Sequence, residues 1–279
     1  MDQASITCKI CGNHFFGRYC NECGEKVYDE KDKSTVHIIE ELFHFMSHFE
    51  GKFFTTLKTI FTKPGKLSLD YCNGIRKKYF KPISFFLLLV VLYLIFPLAG
   101  GLNMRLNEHV SRQCWYGGYA KQEVNTYMTE KKIPENIVFE QYSVISEKVS
   151  KVLLFLLIPV MASFCALFTI KTKKPFFDHL IFSTETTSFF ILWGFLILPF
   201  IIRILSRFTT VFNGETDSII VPIIVVVVAG YVFFSARRFY NFKTAKALLF
   251  SILFLTVLPL FVHYIYSFIL FFTSVHLLH

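Results

Sequence analysis

Charge is scarce in this chain of 279 residues. Only 18% of its residues are charged, against roughly 25% in an ordinary soluble domain, while 53% are hydrophobic and 35 positions are phenylalanine. So few charged side chains cannot cover the surface of a purely soluble globule, and that class is excluded. The same composition excludes an intrinsically disordered chain, which needs low hydrophobicity and high net charge. The composition therefore indicates a membrane protein.

Several functional signatures are missing as well. No GxSxG, HExxH, P-loop or paired-carboxylate hydrolase pattern appears, so no class of enzyme is indicated. The N-terminus is polar and cysteine-rich where a signal peptide would be apolar, so we expect an internal segment to direct membrane insertion. The cysteine-rich end also lacks an interleaved basic and aromatic surface, so we expect no nucleic-acid partner.

Five apolar segments are long enough for transmembrane helices, each of which needs about 20 residues. Only the third contains a charged residue, Glu185. We predict spans at about 83–102, 152–170, 180–202, 218–236 and 247–270. The predicted fold is thus an all-α membrane domain over 82–279, with an extracytoplasmic loop at 103–151.

Lysine and arginine predict the orientation of the spans, because cytoplasmic loops collect these residues. The N-terminal region and the loops after spans two and four together hold 20 of the 29 basic residues. We therefore expect the N-terminus in the cytoplasm and the C-terminus on the other side of the membrane.

Two CxxC pairs form the strongest local signal. Their spacing lets four thiolates converge on one zinc ion: Cys8, Cys11, Cys20 and Cys23. A reducing cytoplasm disfavours two disulfides, and a redox motif would need only one pair. Four protein ligands leave no open coordination position, so we predict a structural zinc ribbon at 1–30. We expect Phe15, Phe16 and Tyr19 to cover the metal.

An amphipathic helix is predicted in the juxtamembrane region 31–81. Its apolar residues share one stripe at spacings of three and four: Ile39, Leu42, Met46, Phe49, Phe53, Leu57 and Ile60. The helix could lie at the membrane surface or pack on the protein's own loops. Its opposite face carries four ionisable residues: His37, Glu41, His44 and His48. They form either a solvated polar face or a second metal or proton-linked site.

A basic cluster precedes the first span: Arg76, Lys77, Lys78 and Lys81. We predict that it meets anionic lipid headgroups, at about 1 kcal/mol for each residue. In this interpretation Pro64-Gly65 ends the amphipathic helix and Pro82 begins span one. A substrate or lipid-phosphate site built on Arg76 is the alternative.

The segment from Thr56 to Pro82 reads T-L…P-G…Y…G-x-R-x-x-Y-x-x-P. Together with the CxxCG…CxxCG ribbon, it resembles a bacterial family of multi-pass inner-membrane proteins known only as a domain of unknown function. The resemblance implies a location in the bacterial inner membrane and lends no activity. Similar proteins usually have a second histidine in span three, where this chain reads Ser183-Thr184-Glu185-Thr186-Thr187.

Ionisable residues near or within the spans are the remaining candidates, because such groups are costly in a membrane: Asp178, His179, Glu185 and His263. They could form a transport or proton path that opens at the cytoplasmic mouth of span three. Alternatively, Glu185 has a structural role, in capping a helix or in interhelical hydrogen bonds, with Thr184, Thr187 or Ser188 as its local partners.

Three functions from different classes fit these observations. The sequence favours a membrane-anchored scaffold or adaptor whose zinc ribbon recruits a protein partner on the cytoplasmic side. The alternative is a small transporter, channel or channel accessory that uses Glu185. The third is a membrane enzyme acting on a lipid or lipid-linked substrate. Membrane lipids are expected partners in each case, and nothing in the sequence indicates the oligomeric state.

Overall fold

A computed structural model of the protein describes residues 5–17, 19–23, 51–96, 98, 102–111, 114–205 and 216–278. The chain divides into two units, Met1–Gly51 and Lys52–His279. The polar helix face predicted around Glu41, with His37, His44 and His48, lies outside the described residues.

The N-terminal unit contains a two-stranded antiparallel hairpin. Strand β1 (Ile6–Thr7) pairs with β2 (His14–Phe15), and the first residue of β1 lies opposite the last residue of β2. The connection contains Gly12 with a φ of 73°, in the left-handed region that favours glycine. The same connection contains the first CxxC pair, Cys8 and Cys11.

The second unit begins with two short helices joined by a tight turn. Helix α1 includes residues 51–62, and α2 runs over Lys66–Cys72. Pro64 and Gly65 lie between them, as predicted for the end of the amphipathic helix. The next helix, α3, covers Pro82–Ile95 and begins at its proline as predicted, because the first turn of a helix does not need the missing N–H.

Helix α4 (Leu106–His109), helix α5 (Gly117–Lys131) and most of helix α6 (Glu135–Leu153) occupy the predicted extracytoplasmic loop 103–151. That segment is therefore largely helical. It was predicted as a loop because its many charged residues interrupt the apolar runs that reveal a span.

Among the described residues, four helical stretches are long and apolar enough to cross a membrane: Glu135–Phe168, Phe176–Leu205, Val221–Phe239 and Thr244–His276. After α6 their segments are a 3₁₀ turn (Leu154–Leu156), α7 (Leu157–Phe168), α8 (Phe176–Ile191), a π-helical segment (Leu192–Ile197), α9 (Leu198–Leu205), α10 (Thr216–Phe239), α11 (Thr244–Phe261), a second π-helical segment (Val262–Tyr266) and α12 (Ser267–His276). A further 3₁₀ turn, Ile170–Thr172, follows α7.

The first predicted span is shorter than the other four. Helix α3 has 14 residues, which rise roughly 21 Å at 1.5 Å per residue. The hydrocarbon core of a bilayer is about 30 Å thick. The part of the chain that the structure describes therefore contains four helices of spanning length, and the count of five spans stays a prediction.

Most buried apolar residues of the second unit form one cluster, with rings from α3, α8 and α11 at its centre. Phe85, Phe86, Phe182 and Phe250 are completely buried there. Phe182 of α8 packs against Phe250 of α11 with ring centroids 6.2 Å apart. This contact places the first turns of α8 and α11 at the same end of the helical bundle.

A second cluster joins α4, α5, α6 and α12. His109 is completely buried in it, and its ring packs against Tyr116, Tyr142 and Phe271. Its Nδ1 atom lies 2.5 Å from the Tyr116 hydroxyl. Burial lowers the pKa of His109 to about 4, so the imidazole is neutral at pH 7 and belongs to this core.

Candidate functional site

Four cysteine sulfurs converge beside the hairpin: Cys8, Cys11, Cys20 and Cys23. All four lie within 4.8 Å of one another. The Sγ–Sγ distance is 3.4 Å for Cys8 and Cys23, and 3.5 Å for Cys11 and Cys20. A disulfide bond is about 2.05 Å long, so neither pair is bridged. A tetrahedral ion with metal–sulfur bonds of about 2.3 Å separates its ligands by roughly 3.8 Å, and these four sulfurs could hold such an ion.

The backbone around the cluster favours a thiolate. N–H groups of Cys11 and Ile10 lower the pKa of the Cys8 thiol to about 6, and the thiolate is the form that binds metal ions. The turn that aims these groups is closed by a hydrogen bond from Gly12 N–H to the Cys8 carbonyl, 3.0 Å long. The CxxCG spacing thus sets up a metal site through its backbone as well as its sulfurs.

The aromatic residues near the cysteines divide into two kinds. Phe15 is buried and forms a small cluster with Cys8 and Cys20. Phe16 and Tyr19 are 65% and 61% exposed. The prediction that all three cover the metal is therefore wrong for Phe16 and Tyr19, because both of these rings are open to solvent and only the Phe15 ring packs with cysteines of the cluster.

A second polar centre surrounds Glu185, which is 1% exposed. Its Oε1 accepts hydrogen bonds from Gly65 N–H at 2.9 Å and from the Tyr231 hydroxyl at 3.0 Å. Its Oε2 accepts from the Ser68 N–H at 2.7 Å and from the Ser68 hydroxyl. Each carboxyl oxygen thus has two donors from the chain itself.

The donors Gly65 and Ser68 lie at the N-terminus of α2, where backbone N–H groups have no partner within the helix. The residue before α2 is Gly65, which has no side chain that could cap the helix. Glu185 reaches this end from α8, 120 residues further along the sequence. Acidic groups are favourable at this end of a helix, so Glu185 caps α2 and fastens it to the helical bundle.

The turn before α2 also touches α10. Gly65 has a φ of 74°, and a Cβ atom built on it would lie 2.6 Å from the Ser235 carbonyl oxygen. Only glycine fits this combination of backbone angle and close approach. One turn further along α10, the Arg238 guanidinium donates a 2.5 Å hydrogen bond to the Pro64 carbonyl. The Pro64-Gly65 turn is therefore held between α8 and α10.

The remainder of the juxtamembrane segment folds on itself. The Tyr79 hydroxyl donates to Asp70 at 2.6 Å, and Lys66 pairs with the same carboxylate at 2.9 Å. Burial acts to raise the pKa of Asp70, but these two partners outweigh it and hold the pKa below its ordinary value. The Phe80 N–H donates to the Thr56 hydroxyl at 2.9 Å. Asp70, Tyr79 and Thr56 thus close α1, α2 and the following turn into one structure.

The predicted local partners of Glu185 are wrong. Thr184 donates to the carbonyl of Leu180 in its own helix. Thr187 and Ser188 are buried on α8 as well, and the four donors to Glu185 come from α2, the turn before it and α10. The partners were missed because residues 120 and 46 positions away carry no local periodic signal.

The other ionisable candidates have separate surroundings. Asp178 pairs with Lys174 at 3.5 Å. His179 is buried, and its Nδ1 lies 2.8 Å from the Tyr240 hydroxyl. His263 is exposed in the second π-helical segment. It follows Phe250 by 13 residues, which correspond to a rise of roughly 20 Å along the helix. Glu185 is only three residues beyond Phe182, so the structure does not bring His263 to the mouth of α8.

The basic cluster before α3 is on the surface: Arg76, Lys77, Lys78 and Lys81 are all exposed. The Arg76 guanidinium lies over the Tyr71 ring, 5.2 Å from its centroid. Contact of these residues with lipid headgroups stays a prediction.

The described residues define a class: a helical protein with four helices able to cross a membrane and a four-cysteine cluster able to hold a metal ion. Residues 50–94 match the family model described as "Protein of unknown function (DUF3667)". The matched segment contains α2, α3 and the turn that contacts Glu185, so this part of the chain is similar to an uncharacterised domain family. No curated protein and no solved structure matches the chain.

Proposed function

We propose that the chain is a membrane-anchored scaffold or adaptor of the bacterial inner membrane, which recruits a protein partner through a zinc ribbon in the cytoplasm. In this proposal zinc is structural, α3 completes a set of five spans, and the C-terminus is extracytoplasmic. Arg76, Lys77, Lys78 and Lys81 contact anionic headgroups beside the first span.

Exposed apolar side chains on the ribbon carry this proposal. Ile10, Phe16 and Tyr19 are 69%, 65% and 61% exposed. Aromatic residues are enriched at protein interfaces and among the residues that dominate binding energy. A structural metal with four protein ligands has no place for a substrate. The ribbon therefore offers a contact surface and no reactive centre.

The transporter alternative has less support because Glu185 is fully engaged. A solute that bound this carboxyl group would have to displace hydrogen bonds from Gly65, Ser68 and Tyr231. Loss of these bonds would leave buried donors unpaired, at about 1–3 kcal/mol each.

The metal is tested by its stoichiometry. We expect one zinc ion per purified chain, and Cys20→Ser is expected to remove most of it and to make residues 5–23 sensitive to protease, since small zinc ribbons depend on metal for folding. Elemental analysis and limited proteolysis measure both effects. Cys72→Ser, which removes a cysteine outside the cluster, should keep the zinc. Full zinc content in a variant without Cys8, Cys11, Cys20 and Cys23 would contradict the proposal.

Partner recruitment is tested by chemical crosslinking of the full-length protein in its membrane. We expect a crosslinked protein whose yield falls about tenfold in a Phe16→Ser/Tyr19→Ser variant, since two contact residues together can supply the 1.4 kcal/mol that a tenfold change requires. Lys9→Ser changes an exposed polar residue of the same ribbon and should leave the yield unchanged. Equal yields in all three proteins, with zinc content preserved, would refute recruitment through this surface.

A further inference from the structure

A cavity of ≈ 950 Å³ lies among α8–α11, away from the Glu185 centre. Ligand sites in proteins usually have volumes of about 300–1,000 Å³, so this one is large. Its wall is mostly apolar and includes the following residues: Phe195, Pro199, Val225, Val228, Leu255 and Leu258.

The cavity lies within helical stretches that are long and apolar enough to cross a membrane. Phe195 is 13 residues beyond Phe182 on the α8 stretch, and Leu258 is eight beyond Phe250 on α11. At about 1.5 Å per residue, these wall residues lie roughly 12–20 Å past the Phe182–Phe250 contact. Both belong to helices long and apolar enough to cross a membrane. If these helices cross a membrane, the molecules that can enter such a cavity are therefore the lipids of the bilayer.

Irregular helix surrounds the cavity on two sides. One wall includes Gly194 and Phe195 of the first π-helical segment, and another includes Val262 of the second. Pro199 and Pro259 also line it. Proline has no N–H, so the carbonyls four residues earlier lose their α-helical donor. Single π-helical turns occur frequently at functional sites, and here two of them border one cavity.

Polar residues lie together at one edge of the cavity. Asn103, Arg105 and Glu108 line it beside the apolar wall. The Asn103 Oδ1 atom is buried and has no hydrogen-bond partner among the residues that the structure describes. Arg105 is exposed, and arginine binds phosphate groups well. The occupant must therefore combine a long apolar part with a polar end that offers a donor to the Asn103 Oδ1 and Glu108 acceptors and a phosphate to Arg105.

We propose that this cavity binds one phospholipid of the bilayer. An acyl chain occupies the apolar wall between Phe195 and Leu258, and the phosphate lies beside Arg105. The site is separate from the ribbon and from Glu185, so the proposal does not depend on the recruitment of a protein partner.

The test compares two adjacent valines of α10 in the full-length protein. Val225 lines the cavity and is 45% exposed, whereas Val226 is 70% exposed and lies outside the wall. The protein is delipidated in detergent and incubated with palmitoyl-oleoyl phosphatidylglycerol, and bound lipid is counted by native mass spectrometry. We expect one lipid per wild-type chain, about tenfold lower occupancy in Val225→Phe, and wild-type occupancy in Val226→Phe.

A second pair of variants shows whether the lower occupancy in the first pair comes from a folding defect. Leu258→Phe should lower occupancy in the same way, and Leu260→Phe, at a 55% exposed position, should not. Monoolein in place of the phospholipid removes the phosphate, and we expect its binding to be weaker and insensitive to Arg105→Gln. Equal occupancy in all four phenylalanine variants would mean that the lipid is annular, and would overturn the proposal.

Discussion

Glu185→Gln is expected to lower the free energy of unfolding by about 2–4 kcal/mol. Each carboxyl oxygen accepts two hydrogen bonds, and a glutamine amide replaces one acceptor with an NH₂ group. Two of the four donors then lose their acceptor, and at least one of them is a backbone N–H of Gly65 or Ser68 that cannot turn away. Each buried unpaired donor costs about 1–3 kcal/mol. Thermal unfolding in detergent measures the loss.

Two further variants serve as comparisons for Glu185→Gln. Tyr231→Phe removes one donor to Glu185 and keeps the ring that stacks on Phe189 at 3.7 Å, so we expect a loss of about 1–2 kcal/mol. Thr184→Val removes a hydroxyl whose partner lies in its own helix and should change stability by less than either. A stable Glu185→Gln protein that loses solute flux in liposomes would instead favour the transporter alternative.

Gly65→Ala is expected to destabilise the protein by about 2–5 kcal/mol. A φ of 74° costs an L-residue about 1–2 kcal/mol. The new Cβ atom would also lie 2.6 Å from the Ser235 carbonyl oxygen, and overpacking of this kind costs about 1–3 kcal/mol. The turn must then move away from α10, which pulls its N–H from Glu185. Thermal unfolding measures this change as well.

Gly74→Ala is the matched control for Gly65. Gly74 has a φ of 90°, but a Cβ atom there meets nothing within 4 Å. Its replacement therefore reports the backbone cost alone, about 1–2 kcal/mol. The difference between the two variants isolates the close approach of the turn to Ser235. If both variants lost the same free energy of unfolding, the close packing of the turn against α10 would be contradicted.

The sequence predicted the features that depend on local spacing. Two CxxC pairs predicted the four-cysteine cluster, because a metal site needs its ligands at short, fixed separations. Uninterrupted apolar runs predicted the four long helices, and Pro82 predicted the start of α3. Boundaries were less accurate: the helix predicted from residue 152 begins at Glu135, because a helix continues past the end of its apolar segment when polar residues also favour it.

A structural role of Glu185 in capping or interhelical hydrogen bonds was predicted, but its partner, the N-terminus of α2, could not be predicted in this way. The sequence marked both partners separately, as a charge in an apolar segment and as a Pro-Gly turn. Nothing local pairs them, because their contact depends on how α2, α8 and α10 pack. The exposed Phe16 and buried Phe15 show the same limit, since two adjacent phenylalanines look alike in the sequence and only the packing in the folded ribbon decides which ring meets the cysteines.

The long separation between α2 and its cap also sets an order of events during synthesis. The N-terminus of α2 is made 120 residues before Glu185, and ribosomes add about 5–20 residues each second. The turn at Gly65 therefore waits roughly 6–24 s for its carboxyl partner. During that interval the N–H groups of Gly65 and Ser68 lack the acceptor that Glu185 provides in the folded protein. The segment around α2 can reach its final shape only after α8 has been synthesised and has folded beside it.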